Sequence, residues 1–149
     1  MTISDDTRQT RQNSLGWMIQ RLANRMTKDM NLRLAELDLS LPQFAVMMMV
    51  LEHGPLTQSD IGKRYDLPPY AISRALDHLQ VLGFVTRKAH PTSRRAHQIE
   101  ATAKGLEKAP ELHRVVREVN GDILAPLNFE ETALLLSMMT RLVGEDDSA

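Results

Sequence analysis

The stretch TQSDIGKRYDLPPYAISRALDHLQVLGFVTRKAHPTSRRAHQIEAT, from Thr57 to Thr102, decides the fold. Within it Ile72, Ala75, Leu76 and Leu79 recur at helical spacing and make one apolar face, while Tyr70, Ser73, Arg74 and Asp77 fall on the opposite one. A shorter helix precedes them, from Thr57 through Arg64, and a tight turn at Tyr65-Asp66-Leu67 separates the two. Arg87-Lys88, a turn around Pro91 and then Arg94-Arg95 set cations at the base and the tip of a hairpin. Two short helices followed by a cationic hairpin read as a winged helix-turn-helix. In that unit the second helix turns its polar side chains toward a DNA groove.

Bulk properties set outer limits. The 149 residues are one domain's worth, enough to bury a core. The net charge of -1 hides an uneven spread. From Thr57 to Lys104, eight Lys/Arg face four acids; from Gly105 to Ala149, four face nine. A basic middle and an acidic end result, and it is the local field that attracts phosphate. The absence of Cys excludes disulfides, thiolate metal sites and cysteine-based oxidant sensing. The longest apolar run, Phe44 to Leu51, falls far short of the ~20 residues of a membrane span. Met1 to Asn13 is polar and lacks a signal-peptide core. These features predict a soluble, cytoplasmic protein with no membrane partner.

Working outward, Leu15, Met18, Ile19, Leu22, Met26, Met30 and Leu37 predict a long first helix, preceded by a loose polar tail over 1–13. Ser40 with Gln43 is a capping-box pair, and Pro42 suits a first turn; a second helix is expected from Leu41 to Glu52, ending at Gly54-Pro55. Thr57 with Asp60 repeats the capping pattern for the third helix, and Pro68-Pro69 open the fourth, which ends near Gly83. Phe84 to Ala89 and Ala96 to Ala101 are strand candidates, with a tiny extra strand near Pro55-Leu56. Thr102 can cap a fifth helix with the stripe Leu106, Ala109, Val116, Val119, Ile123 and Leu127; Pro110 should kink it or split off its first turn. Asn128 with Glu131 caps a last helix through Val143, and an acidic tail, 144–149, closes the chain. The fold class is therefore mainly α with a small β-hairpin wing.

Several of these segments together resemble one family. Leu41-Pro42-Gln43-Phe44, Ile72-Ser73-Arg74, and Leu79 through Gly83-Phe84-Val85 look like the MarR family of bacterial transcriptional regulators. The family's wing pattern, Asp-x-Arg-x-x-x-Val-x-Leu-Thr-x-x-Gly, corresponds here to Ser93, Arg95, Ile99, Ala101, Thr102 and Gly105. The resemblance spans Ser14 to Val143 as a single domain. It implies dimerisation helices in 14–39 and 102–143 around a winged helix-turn-helix in 40–101. It further implies a homodimer whose recognition helices enter successive major grooves of a near-palindromic operator, with the wings in flanking minor grooves. A small ligand, often an aromatic acid, would release the DNA, making the protein a ligand-responsive repressor. Two wing positions depart from the pattern: Ser93 replaces the aspartate that supports the wing arginine, and His90 replaces an acid before Pro91. Both changes predict a more cationic tip and a less ordered Arg95. Pro68-Pro69-Tyr70-Ala71 at the start of the recognition helix shifts base reading toward contact with thymine methyls.

The candidate DNA contacts are Ser73 and Arg74 for base edges or phosphate, and Pro69, Tyr70 and His78 beside them. Thr57, Gln58 and Lys63 are candidates for phosphate, and Arg94 and Arg95 for a minor groove. Trp17, Arg21, Met47 and Met48 are candidates for an effector pocket, since thioethers repack around varied shapes. Core filling is the plain alternative for the methionines. Five His without tight spacing give no metal site, and no cofactor is implied. A Gly-rich phosphate loop, a nucleophile elbow and strand-framed carboxylate pairs are all missing, so the chain reads as no enzyme. Two rival functions stay in view: a winged helix serving as a protein-interaction module, and a metal-responsive regulator with no organic effector.

Overall fold

The computed structural model describes residues 1–144. In chain order the elements are α1 (Ile3–Gln12), α2 (Leu15–Ala35), α3 (Leu41–His53), β1 (Leu56–Thr57), α4 (Gln58–Arg64), α5 (Pro69–Val81), β2 (Val85–Ala89), β3 (His97–Ala101), α6 (Ala103–Leu124) and α7 (Phe129–Val143). The three strands form one antiparallel sheet in the order β1-β3-β2, so β3 is central. Leu56 pairs with Ile99, and Ile99 in turn stands opposite Arg87 on β2.

Helix α3 runs through the centre. Its residues are apolar on nearly every side, and Phe44, Val46, Met47 and Val50 are all buried. A helix apolar all round requires neighbours all round. Here α2, α5, β3 and α6 supply them. From α5 come Ile72, Ala75, Leu76 and Leu79, the face expected from their spacing. Helix α6 docks through Gly105. A Cβ there would lie 2.1 Å from the Phe84 carbonyl oxygen, so only glycine admits this approach. Thr102 caps the same helix: its hydroxyl donates to the Gly83 carbonyl at 2.5 Å and accepts from the Gly105 amide. Gly83 itself, with φ of 78°, closes α5; its amide bonds Gln80 and the next amide reaches back to Leu79. That double closure is a Schellman motif, which requires a left-handed residue.

Several expectations need revision. The N-terminal segment 1–13 is not a loose tail but carries α1, started by a Thr2–Asp5 capping box, with Asp5 and Asp6 in the first turn and Arg11 in the last. Helix ends complemented in this way can be held without apolar periodicity. α6 continues unbroken through Pro110 instead of shedding its first turn. Burial of Gly105 on one side and Leu112, Val115 and Val119 on the other holds both halves to the core. Leu106, assigned to the buried stripe, is 58% exposed. The α2 stripe, expected to serve dimerisation, needs no such revision: Leu15, Met18, Ile19 and Leu22 face outward, and within the chain α2 buries only Met30 and Leu34. Of the expected acidic tail, 145–149 lie outside the described residues.

Candidate nucleic-acid interface

Thr57 ends β1 and caps α4. Its hydroxyl accepts from the Asp60 amide at 3.1 Å, and the Asp60 carboxylate accepts from the Thr57 amide at 2.9 Å. That backbone bond, followed by the Thr57 hydroxyl, holds the Asp60 carboxyl below the usual carboxylate range. Gln58 then sets the crossing of the two helices, because its side-chain amide donates to the Pro69 carbonyl at 2.9 Å. Pro68 is extended, at φ -66° and ψ 151°, and Pro69 enters the helix where the missing amide costs nothing. With its apolar residues committed to the core, α5 leaves Tyr70 67% exposed and Arg74 exposed beside a half-buried Ser73.

The wing is tied to α5 by a side chain expected only to add charge. Arg87, on β2, donates to the Asp77 carboxylate at 2.8 Å and the Gln80 amide oxygen at 3.0 Å, and approaches the Ser73 carbonyl at 3.5 Å. Asp77 is therefore engaged in orienting the hairpin against the recognition helix. The planar guanidinium suits this job, because it presents several donors in one rigid fork. Sequence reading missed the role. The available signal was an acid on the outer face of α5 with an arginine at the base of the following hairpin. Farther out, Lys88 pairs with Glu100 across the strands. At the turn, the His90 ring accepts at Nδ1 from the amides of Thr92 and Ser93, at 3.2 and 3.1 Å. Arg94 and Arg95 stand exposed just beyond.

Five of the expected residues, Thr57, Gln58, Lys63, Pro69 and Arg95, line two clefts of the α4–α5–wing unit that share Gln58 and Ser59. Gln58, Lys63 and Pro69 line one cleft of about 460 Å³ between α4 and α5. Thr57, Gln58 and Arg95 line another, of about 310 Å³, between α4 and the wing. His78 departs from the set: its Nε2 lies 2.7 Å from the Asp38 carbonyl, where its N–H donates. Asp38 is the non-glycine residue with positive φ, at the corner between α2 and α3. That bond commits one ring nitrogen of His78 to the corner between α2 and α3.

The four effector candidates do not converge. Met47 is fully buried among core side chains, which corrects its assignment to a pocket wall, and Met48 is half-buried against the same core. Trp17 is 47% exposed near the start of α2, with the Arg11 guanidinium 5.3 Å from its ring centre. The shallow pocket it lines is shared with Asp6, Thr7, Thr10, Arg11 and Ser14, and includes neither methionine. Arg21 is exposed on the same helix. Among the described residues, no group of three or more His, Asp or Glu is gathered for a metal, and no helix is long and apolar enough to cross a membrane.

A family model for MarR matches residues 37–96, the span holding α3, α4, α5 and most of the wing. Over that span the chain is similar to the MarR family. Among its relatives, the HTH-type transcriptional repressor Rv2887 of Mycobacterium tuberculosis is 26% identical over 132 residues, 89% of this chain and 94% of that protein. A structure of Rv2887 in complex with DNA superposes with a TM-score of 0.78, covering 88% of this chain and 98% of the other. An uncharacterized HTH-type transcriptional regulator of Bacillus cereus is 29% identical over 131 residues, 87% of each chain. Mutant Escherichia coli MarR complexed with operator DNA superposes at TM-score 0.76 and 22% identity, covering 91% of this chain and 97% of that one. MarR-family members are DNA-binding regulators of transcription, and this chain carries their winged helix.

Proposed function

We propose that this MarR-family regulator is a cytoplasmic homodimeric repressor that reads a near-palindromic duplex. One observation carries the reading. α5 commits its apolar face to the core and leaves Tyr70, Ser73 and Arg74 outward, with Arg94 and Arg95 standing on the adjoining wing. A helix presents polar side chains in this way for a major groove, and exposed arginines beside it suit a minor groove. Lys63 and the Thr57–Gln58 corner take phosphates. The structures of Rv2887 in complex with DNA and of mutant E. coli MarR with operator DNA support duplex DNA as the partner.

A second copy of the chain is part of the proposal. Leu15, Met18, Ile19 and Leu22 on α2, with Leu134, Leu136, Met138 and Leu142 on α7, leave large side chains in water. Exposed apolar area of this extent marks an association surface. Closing it between two copies would set recognition helices about one DNA turn apart, roughly 34–36 Å. A small aromatic acid that releases DNA completes the proposal, with Trp17 and Arg21 as its candidate contacts and Met47 withdrawn to the core.

The test is binding to duplex DNA across a salt series. Neutralised phosphates release counterions, so affinity should fall steeply as salt rises. A flat dependence would overturn the reading in favour of a protein-interaction module.

A further inference from the structure

We propose that His90 is a positioning residue of the wing: its neutral imidazole organises the turn that carries Arg94 and Arg95, so that the wing's grip on duplex DNA weakens as His90 takes up a proton. The proposal rests on the DNA-binding reading for its functional half, and on the wing's own geometry for the other.

Two backbone amides, those of Thr92 and Ser93, point at one ring nitrogen, His90 Nδ1, at 3.2 and 3.1 Å, with the Thr92 hydroxyl at 3.4 Å. Amides only donate, so Nδ1 must keep its lone pair and the ring proton must sit on Nε2. The imidazole thus stands where aspartate or asparagine normally begins a turn, folding the chain back by accepting from amides two and three residues on. The His90 amide itself reaches the Ala96 carbonyl at only 3.4 Å, so the ladder above the last paired residues, Ala89 and His97, is weak. The order of the tip therefore depends on the ring. Arg94 shares the pocket at the tip with His90 and His97, and Arg95 follows it directly.

A carboxylate cap would hold this turn at every physiological pH, whereas an imidazole changes charge between about pH 5 and 8. Protonation at Nδ1 turns the acceptor into a donor aimed at two other donors. A protonated ring therefore releases the turn that the neutral one holds. The charged and titratable groups that share the ring's pocket come from the hairpin, Arg94 and His97; Arg95 lines the cleft toward α4, and Lys88 is held by Glu100. A proton on His90 also adds a cation near the phosphates. One screened surface charge weighs less than the backbone freedom regained by a released turn, so loss of order wins.

The experiment uses the full chain, its His90→Asn and His90→Ala variants, and a random-sequence duplex at fixed salt. Amide signals of Thr92 and Ser93 are followed by NMR in the free protein from about pH 7.5 to about pH 5.5, across the imidazole range. In the parent these signals should move with the His90 ring resonances and report a loosened turn at low pH; in His90→Asn they should stay put. Duplex affinity of the parent should fall by about two- to tenfold more than that of His90→Asn over the same interval, the range one lost hydrogen bond commands. His90→Ala should bind weakly already at the upper pH. Amides that ignore the His90 titration, or identical pH profiles for parent and His90→Asn, would overturn the proposal. A parent protein that binds no duplex at any pH would instead overturn the DNA reading, while the amide titration still decides what His90 does to the turn.

Discussion

Arg74 and Arg87 lie on the same α5–wing unit and take opposite parts. Among the described residues, no hydrogen bond or ion pair engages Arg74, whose side chain extends from the outer face of α5. Arg87 is held by Asp77 and Gln80 and leaves only about a quarter of its side chain exposed. The Arg74→Ala variant should fold normally and bind duplex more weakly; if Arg74 reads a guanine, choice at that base should relax by about 1–3 kcal/mol, which competition with substituted duplexes measures. Arg87→Ala should lose stability first. The Arg87–Asp77 pair is partly exposed, so about 1 kcal/mol is expected in urea melts. Amides along β2 should also exchange faster as the hairpin comes loose from α5. A lysine at 87 should restore little, since one ammonium cannot reproduce the fork.

At the level of elements, the boundaries are enforced by short local signals. The Thr57–Asp60 box starts a helix of only seven residues, too short to persist by propensity alone. Removing the Asp60 carboxylate with Asp60→Ala should cost on the order of 1 kcal/mol, as lost caps do. Its bonds to Thr57 lower the carboxyl's folded-state pKa, so this stability is fully present above the ordinary carboxylate range. It disappears as pH falls through the lowered folded value. Urea midpoints for Asp60→Ala and the parent should therefore differ at neutral pH and converge in acid. Gly105 is the second such control point. Its added Cβ would meet backbone, the Phe84 carbonyl, and not the yielding end of a side chain. Gly105→Ala should push α6 away from the sheet and cost about 1–3 kcal/mol in the same assay.

For the whole molecule, the distribution of apolar surface matters more than its amount. Leu34, Met47, Leu76 and Leu112 close one core around α3, while α7 buries none of its residues among those described. An amphipathic helix capped by Asn128 and Glu131 yet left without a core face is stable only against another surface. On the proposed dimer, a chain ending at Leu127 should be monomeric or insoluble. Sedimentation of the truncated protein checks this, and a well-behaved dimer would remove α7 from the interface.

Local chemistry made much of this legible from the residues alone. The capping pairs Ser40–Gln43, Thr57–Asp60 and Asn128–Glu131, the Pro68-Pro69 entry and the spacing of Ile72, Ala75, Leu76 and Leu79 each act within a few residues, so the winged helix and its cationic wing could be placed by reading along the chain. What joins distant segments was hidden. That His78 braces Asp38, that Arg87 clamps Asp77, and that Met47 lies in the core instead of a pocket depend on which helix packs against which. Periodicity names a face but not its neighbour. Only the packed structure, where one arginine must choose between a phosphate and an aspartate within reach, settles which side chains remain free to meet DNA.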